Sequence, residues 1–168
     1  MARDGMRRYS PLGRSHSLGA NELAPDQLRA FRQILGSTDF ITLFRGGAGT
    51  GKSFVLRLIQ EALRAVGHVT KTVAPQRQQV IDLDRNGLHD VQTVAGFILR
   101  GILPEGAVVI VDEAGQIGGQ QMFDLLRLVK EANGRVILAG DTRQHGPVEA
   151  SGRTAGDRVL RGLAVGAA

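Results

Sequence analysis

The order of apolar and polar positions along the chain predicts alternating helices and strands. Apolar residues recur every three or four positions over 25–35, which is the spacing of one helical face. A continuous apolar run such as AVVIVD at 107–112 is instead typical of a strand covered on both faces. The pattern predicts helices over 25–35, 53–66, 76–84, 91–101 and 119–132, and strands over 40–44, 68–75, 107–112 and 135–139. In the helix over 53–66, the polar positions form one narrow stripe, so we expect most of this helix to be buried; they are Arg57, Gln60, Glu61 and Arg64.

Strands that alternate with helices predict the fold class. Nearly continuous apolar strands of this kind favour an α/β fold, a parallel sheet with helices on both faces. The length of 168 residues suits a single domain. We expect this domain over 21–150, between a basic and disordered tail over 1–20 and a Gly/Ala/Arg-rich tail over 151–168.

Composition and charge narrow the classes of function. The chain has no cysteine, which excludes disulfides, thiolate-bound zinc, iron–sulfur clusters and a thiol nucleophile. The four histidines lack metal-type spacing. The net charge of +5 comes entirely from the two tails, because residues 21–150 hold 14 basic and 14 acidic side chains. Absence of a long apolar run argues against a membrane partner, and the lack of a secretory signal predicts a cytoplasmic protein.

A glycine-rich segment between a predicted strand and a predicted helix is the strongest motif. GGAGTGKS at 46–53 matches the phosphate-loop pattern G-x-x-x-x-G-K-[ST] in full. Its backbone N–H groups and the following helix N-terminus would surround the phosphates of ATP, while Lys52 reaches the β- and γ-phosphates and Ser53 ligates Mg²⁺. The nucleotide-binding residues are therefore expected to be Gly46, Gly47, Ala48, Gly49, Thr50, Gly51, Lys52 and Ser53. An ordinary glycine-rich turn is the alternative, and it does not explain all eight positions.

Two adjacent carboxylates end the buried strand over 107–112. Asp112 at the carboxyl end of a parallel strand is placed to hold Mg²⁺, and Glu113 to accept a proton from, or orient, the attacking water. A solvated acidic loop is the alternative interpretation. The phosphate loop upstream favours catalysis, because parallel strands bring both motifs to one sheet edge.

A third polar cluster, GDTRQH at 140–145, follows the last predicted strand. It is expected at the same edge, where Gln144 would donate to the γ-phosphate and report its loss. The alternative is that Asp141 and Thr142 only cap a turn.

The ordered set of motifs resembles the first motor domain of superfamily 1B DNA helicases, of the RecD-like and conjugative relaxase-helicase (MobF) type, truncated after its third motif. The resemblance covers about 21–152. The segments that carry it are APDQ (24–27), GGAGTGKS, TVAPQRQQV (72–80), TVAGF (93–97), VIVDEAGQ and AGDTRQHGPVEASG (139–152).

This resemblance implies a RecA-like P-loop ATPase and further site residues. Gln27 matches the glutamine that reads the adenine edge, and Gln144 matches the γ-phosphate sensor. Single-stranded DNA contacts are implied at Pro75, Gln76, Arg77 and Thr93. Ala24 departs from the pattern, because a capping Ser or Thr is common there.

The resemblance also implies a component that the sequence lacks. Family members close ATP between two RecA-like domains, and the second domain supplies an arginine finger. We therefore expect a fragment or split subunit that binds Mg-ATP and hydrolyses it slowly, with a second RecA-like domain or a relaxase as partner in trans. The alternatives are a stand-alone PhoH-like P-loop ATPase and a nucleotide-binding remnant without turnover.

Overall fold

The computed structural model describes residues 9–13, 20–45 and 51–140. Its helices are α1 (Pro25–Leu35), α2 (Lys52–Ala65), α3 (Arg77–Arg85), α4 (Val94–Arg100) and α5 (Gly119–Glu131). Its strands are β1 (Ile41–Arg45), β2 (Thr70–Ala74), β3 (Val91–Thr93), β4 (Val108–Val111) and β5 (Arg135–Gly140). Two short 3-10 turns lie at Ala20–Glu22 and Ala114–Gln116.

The described strands form one parallel sheet in the order β1-β5-β4-β2-β3. The first strand pairs with the last, with Ile41 opposite Val136 and Arg45 opposite Gly140. The chain crosses from β1 to β2 over two other strands, and it returns through β4 and β5. The predicted α/β class and parallel sheet are confirmed.

Alternating side chains of the central strands build two separate cores. Val108 and Ile110 of β4 pack into one cluster with α1, α2 and α3, whereas Val109 and Val111 pack into a second cluster with α4 and α5. Helices therefore cover both faces, which explains why β4 is apolar at each position.

The segment over 91–101 differs from the prediction of one helix. Residues 91–93 are a strand paired with β2, and α4 begins only at Val94. Thr93 is the N-cap residue, and its hydroxyl accepts a hydrogen bond from the Gly96 N–H at 3.1 Å. Three residues are too few to show strand alternation, so the short strand is hidden in the helical pattern.

Gln60 belongs to the polar stripe of α2 but is buried, with 1% of its surface exposed. Its Nε2 donates to Thr70 Oγ1 at 3.1 Å and to the His89 carbonyl at 2.9 Å, and its Oε1 accepts from the His89 N–H at 2.8 Å. A buried amide with every partner satisfied joins α2, β2 and the loop before β3.

Part of the N-terminal segment packs on the domain, although a disordered tail is predicted over 1–20. Leu12 is 1% exposed, and the Gly13 N–H donates to the Leu35 carbonyl at 3.0 Å. The Arg135 guanidinium donates to the Ser10 carbonyl at 2.7 Å. The prediction is wrong for 9–13, because these contacts supply ordering energy that composition does not reveal. Residues 1–8, 14–19 and 141–168 lie outside the description. Within the described residues, no helix is long and apolar enough to cross a membrane.

Candidate nucleotide-binding site

The second half of the phosphate-loop motif joins β1 to α2. Gly51 has a φ of 71°, in the left-handed region that favours glycine, and Lys52 and Ser53 form the first turn of α2. Helix α2 therefore points its N-terminus at the carboxyl edge of the sheet, as a phosphate site requires. Residues 46–50 lie outside the described part of the chain.

Gln27 lies against this loop. A β-carbon placed on Gly51 would be 3.0 Å from Gln27 Nε2. The Gln27 Oε1 accepts a hydrogen bond from the Ala24 N–H at 3.0 Å, so the start of α1 is capped by Gln27 although Ala24 has no capping side chain. This brings the predicted adenine-reading residue next to the phosphate-loop motif.

Asp112 and Glu113 follow β4 at the same edge. The Asp112 N–H donates to the Val73 carbonyl of β2 at 2.9 Å, which holds Asp112 by the sheet itself. Glu113 has a φ of 50°, an uncommon conformation for a residue other than glycine. In this conformation the chain bends into the 3-10 turn Ala114–Gln116. The successive side chains of Asp112 and Glu113 then both contact Lys52.

Lys52 joins the two motifs through ion pairs. Its Nζ lies 2.8 Å from Glu113 Oε1 and 2.9 Å from Asp112 Oδ1. The three side chains are 15%, 8% and 18% exposed for Lys52, Asp112 and Glu113. Burial lowers the pKa of Lys52, but the hydrogen bonds to Glu113 and Asp112 outweigh it, so the pKa is raised overall. Lys52 is therefore a firmly held cation at neutral pH.

The charges of this cluster suit a cation such as Mg²⁺. Two carboxylates face one ammonium, which leaves one excess negative charge. Glu113 Oε2 is buried and has no hydrogen-bond partner among the described residues. Within those residues no group of three or more His, Asp or Glu side chains forms a metal cage. A Mg²⁺ ion here would take Ser53 and Asp112 together with water and phosphate oxygens, as is usual for this ion.

The predicted DNA-contacting residues lie along the carboxyl ends of β2 and β3. Pro75 and Gln76 follow β2, Arg77 begins α3, and Thr93 ends β3. Gln76 and Arg77 are exposed. The Gln76 N–H already donates to Gln79 Oε1 at 3.0 Å, so this backbone N–H has its hydrogen-bond partner within the protein.

A link between α3 and the acidic turn, which is Glu113 with the 3-10 turn Ala114–Gln116, was not predicted from the sequence. Gln79 Nε2 donates to Gln116 Oε1 at 2.9 Å. The spacing of Gln76 and Gln79 resembles a capping box, which is a signal for the helix start. The contact with Gln116 has no sequence signal, because it depends on the placement of β2 beside β4.

Gln144, the predicted γ-phosphate sensor, lies outside the described residues. The chain reaches this segment from Gly140, and a β-carbon there would be 3.8 Å from the backbone nitrogens of Ala114 and Gly115. The end of β5 therefore lies beside the turn that follows Glu113.

Comparisons with known proteins agree with this architecture. The AAA domain family model matches residues 22–161. The conjugal transfer protein TraA of Rhizobium radiobacter is 26% identical over 160 residues, which is 91% of this chain and 14% of that protein. A probable conjugal transfer protein TraA of Sinorhizobium fredii is 25% identical over 83% of this chain and 13% of its own length.

The multifunctional conjugation protein TraI of Escherichia coli K12 is 26% identical over 73% of this chain and 8% of its own length. The chain thus spans between 8% and 14% of these three relatives. The matches to the AAA domain family model and to these conjugation proteins confirm the resemblance to a superfamily 1B motor domain with a RecA-like fold. The chain belongs to the AAA domain family.

Proposed function

We propose that the chain is the Mg-ATP-binding motor domain of a DNA helicase, which hydrolyses ATP slowly by itself. The observation that carries this proposal is the contact of Lys52 with both Asp112 and Glu113 at one edge of a parallel sheet. A phosphate-loop lysine and an Asp-Glu pair within one site are the groups that ATP hydrolysis needs.

Each side chain has a separate role. Lys52 leaves its ion pairs to contact the β- and γ-phosphates, and this frees Glu113 to orient the attacking water. Glu113 is suited to this role because one of its oxygens is buried without a partner among the described residues. Ser53 and Asp112 would hold Mg²⁺, which supplies neutralisation of phosphate charge when bound. Gln27 contributes adenine recognition, and Gln144 senses the γ-phosphate.

We propose single-stranded DNA as the second ligand. The relatives are named as conjugation proteins, and the exposed residues after β2 and the end of β3 lie along the same edge as the acidic pair. A second RecA-like domain or a relaxase acting in trans would supply an arginine to the transition state. Without such an arginine, rates in related phosphoryl-transfer systems fall by about 10³–10⁵, so we expect slow turnover.

The test is phosphate release by the purified chain, with fluorescent ATP binding measured in parallel. Lys52→Ala should lose both binding and turnover, because its ammonium contacts the phosphates. Glu113→Gln should retain nucleotide but lose hydrolysis, because the amide does not accept a proton from water. Lys130→Ala is the matched control, since Lys130 is an exposed lysine at the end of α5.

Absence of ATP binding by the wild-type chain would contradict the proposal. Binding without any Lys52-dependent turnover would instead support a nucleotide-binding remnant. Turnover that is unchanged in Glu113→Gln would remove Glu113 from its assigned role.

A further inference from the structure

Gln79 makes two hydrogen bonds whose directions are fixed by chemistry. Its Oε1 accepts from the Gln76 N–H at 3.0 Å, and a backbone N–H is only a donor. The amide therefore presents Nε2 on its other side, where it donates to Gln116 Oε1 at 2.9 Å. One side chain thus joins the first turn of α3 to the turn after β4.

Gln116 belongs to the short turn that begins at Glu113. The Gln116 N–H donates to the Glu113 carbonyl at 2.9 Å, and the next residue, Ile117, is buried in the second core cluster. Asp112 is held by the hydrogen bonds of the sheet, but Glu113 lies beyond them in the left-handed region. The orientation of Glu113 therefore depends on this turn, and Gln79 holds the turn from one side.

The other end of the link is the place where single-stranded DNA is proposed to contact the chain. Gln76 is the N-cap of α3 and Arg77 is its first residue, and Gln79 accepts a hydrogen bond from the backbone N–H of Gln76. We infer that the Gln79–Gln116 hydrogen bond transmits the binding of single-stranded DNA at the first turn of α3 to Glu113. It would thereby couple DNA binding to ATP hydrolysis. This inference rests on the proposed function, and it makes Gln79 and Gln116 positioning residues.

The cleanest perturbation is at Gln116, because it leaves the cap of α3 intact. Gln116→Met removes the acceptor at nearly constant length. Gln116→Glu keeps an oxygen that accepts from Gln79 Nε2. Gln120→Met is the matched control, since Gln120 is also an exposed glutamine; it lies in the first turn of α5, and its partner is Asp124.

The experiment measures ATP turnover of each purified variant with and without saturating oligo-dT, together with the Kd for labelled oligo-dT. For Gln116→Met we expect the DNA-stimulated ratio of kcat values to fall by about 2- to 12-fold, the range set by one hydrogen bond. The KM for ATP and the Kd for DNA should stay within about twofold. Gln116→Glu and Gln120→Met should keep most of the stimulation.

Stimulation of Gln116→Met at the wild-type ratio would overturn the inference, as would equal losses in Gln116→Met and Gln116→Glu. Wild-type hydrolysis that depends on Lys52 but does not respond to oligo-dT would also overturn it, and would leave the proposed ATPase standing. Absence of any Lys52-dependent hydrolysis would remove the proposed function and this inference together.

Discussion

Removing the charge of Lys52 tests the electrostatics of the site without any nucleotide. Lys52→Met keeps the length of the side chain but leaves Asp112 and Glu113 side by side without their cation. At 2.8 and 2.9 Å, the Coulomb attraction of each pair is about 6 kcal/mol at an effective dielectric constant of about 20. Desolvation of the ions, several kcal/mol each, offsets most of this attraction.

The net loss of stability depends on how deeply the two carboxylates stay buried once their cation is gone. Removing one partner of a fully buried pair costs about 3–5 kcal/mol. Because the side chains retain 8–18% exposure, water compensates part of the loss, and we expect the free energy of unfolding to fall by about 2–4 kcal/mol. Urea denaturation at pH 7.5, followed by circular dichroism, measures this change.

Two further variants make the interpretation specific. Lys130→Met, at an exposed position, should change the free energy of unfolding by less than about 0.5 kcal/mol. Adding Glu113→Gln to Lys52→Met removes one of the two adjacent negative charges, so the double variant should recover at least about 1 kcal/mol. A loss below about 0.5 kcal/mol in Lys52→Met, or no recovery in the double variant, would refute the reasoning.

Three other predictions follow from single features. The pKa of Lys52 in the folded protein is raised above its ordinary value of 10.5. The stabilisation that Lys52 gives the fold is therefore complete below that pH and is lost as the pH rises through the pKa of the folded state. The stability difference between wild type and Lys52→Met should stay constant from about pH 7 to 10 and shrink above about 10.5. Gln60→Leu leaves the backbone N–H and carbonyl of His89 without their buried partner, so we expect a loss of about 2–5 kcal/mol in urea denaturation. Gly51→Ala forces a β-carbon into the left-handed region and against Gln27, and it should cost about 1–2 kcal/mol of stability and weaken binding of fluorescent ATP.

Each of these has a matched comparison. A stability difference that already declines below about pH 9 would contradict the raised pKa of Lys52. Gln33→Leu, at an exposed position of α1, should be nearly neutral, and an equal effect of Gln60→Leu would show that its hydrogen bonds add nothing. Gly118, the N-cap of α5, has a φ of −64° and no atoms near its missing β-carbon, so Gly118→Ala should cost only about 0.5 kcal/mol of stability and leave ATP binding unchanged. ATP binding of Gly51→Ala at the wild-type level would disprove the role of the close Gln27 contact.

The central elements were predictable because their signals are local. Strand β4 (Val108–Val111) is apolar at each position, and the phosphate-loop motif marks the start of α2 by residue type alone. That the two motifs lie at one edge of the sheet was also predictable, since parallel strands bring their carboxyl ends together. The ion pairs of Lys52 with Asp112 and Glu113 were not predicted.

The features that escaped prediction depend on distant parts of the chain. Gln60 has the polarity of a surface residue, and its burial follows from hydrogen bonds to β2 and His89. Residues 9–13 become ordered through contacts with Leu35 and Arg135, the latter 125 residues away from Ser10. No local periodicity records such pairings, because they are set by strand order.

The pairing of β1 with β5 has a consequence for the time course of folding. Ile41 and Val136 are neighbours in the sheet, yet 95 residues separate them along the chain. At about 5–20 residues per second, the ribosome needs roughly 5–20 s to make that interval. Throughout it, the strand that leads into the phosphate loop lacks the neighbour that anchors it in the sheet. During synthesis, therefore, the acidic turn and its neighbouring strand β2 precede the anchoring of β1, and the proposed nucleotide site is completed late, when β5 is inserted between β1 and β4.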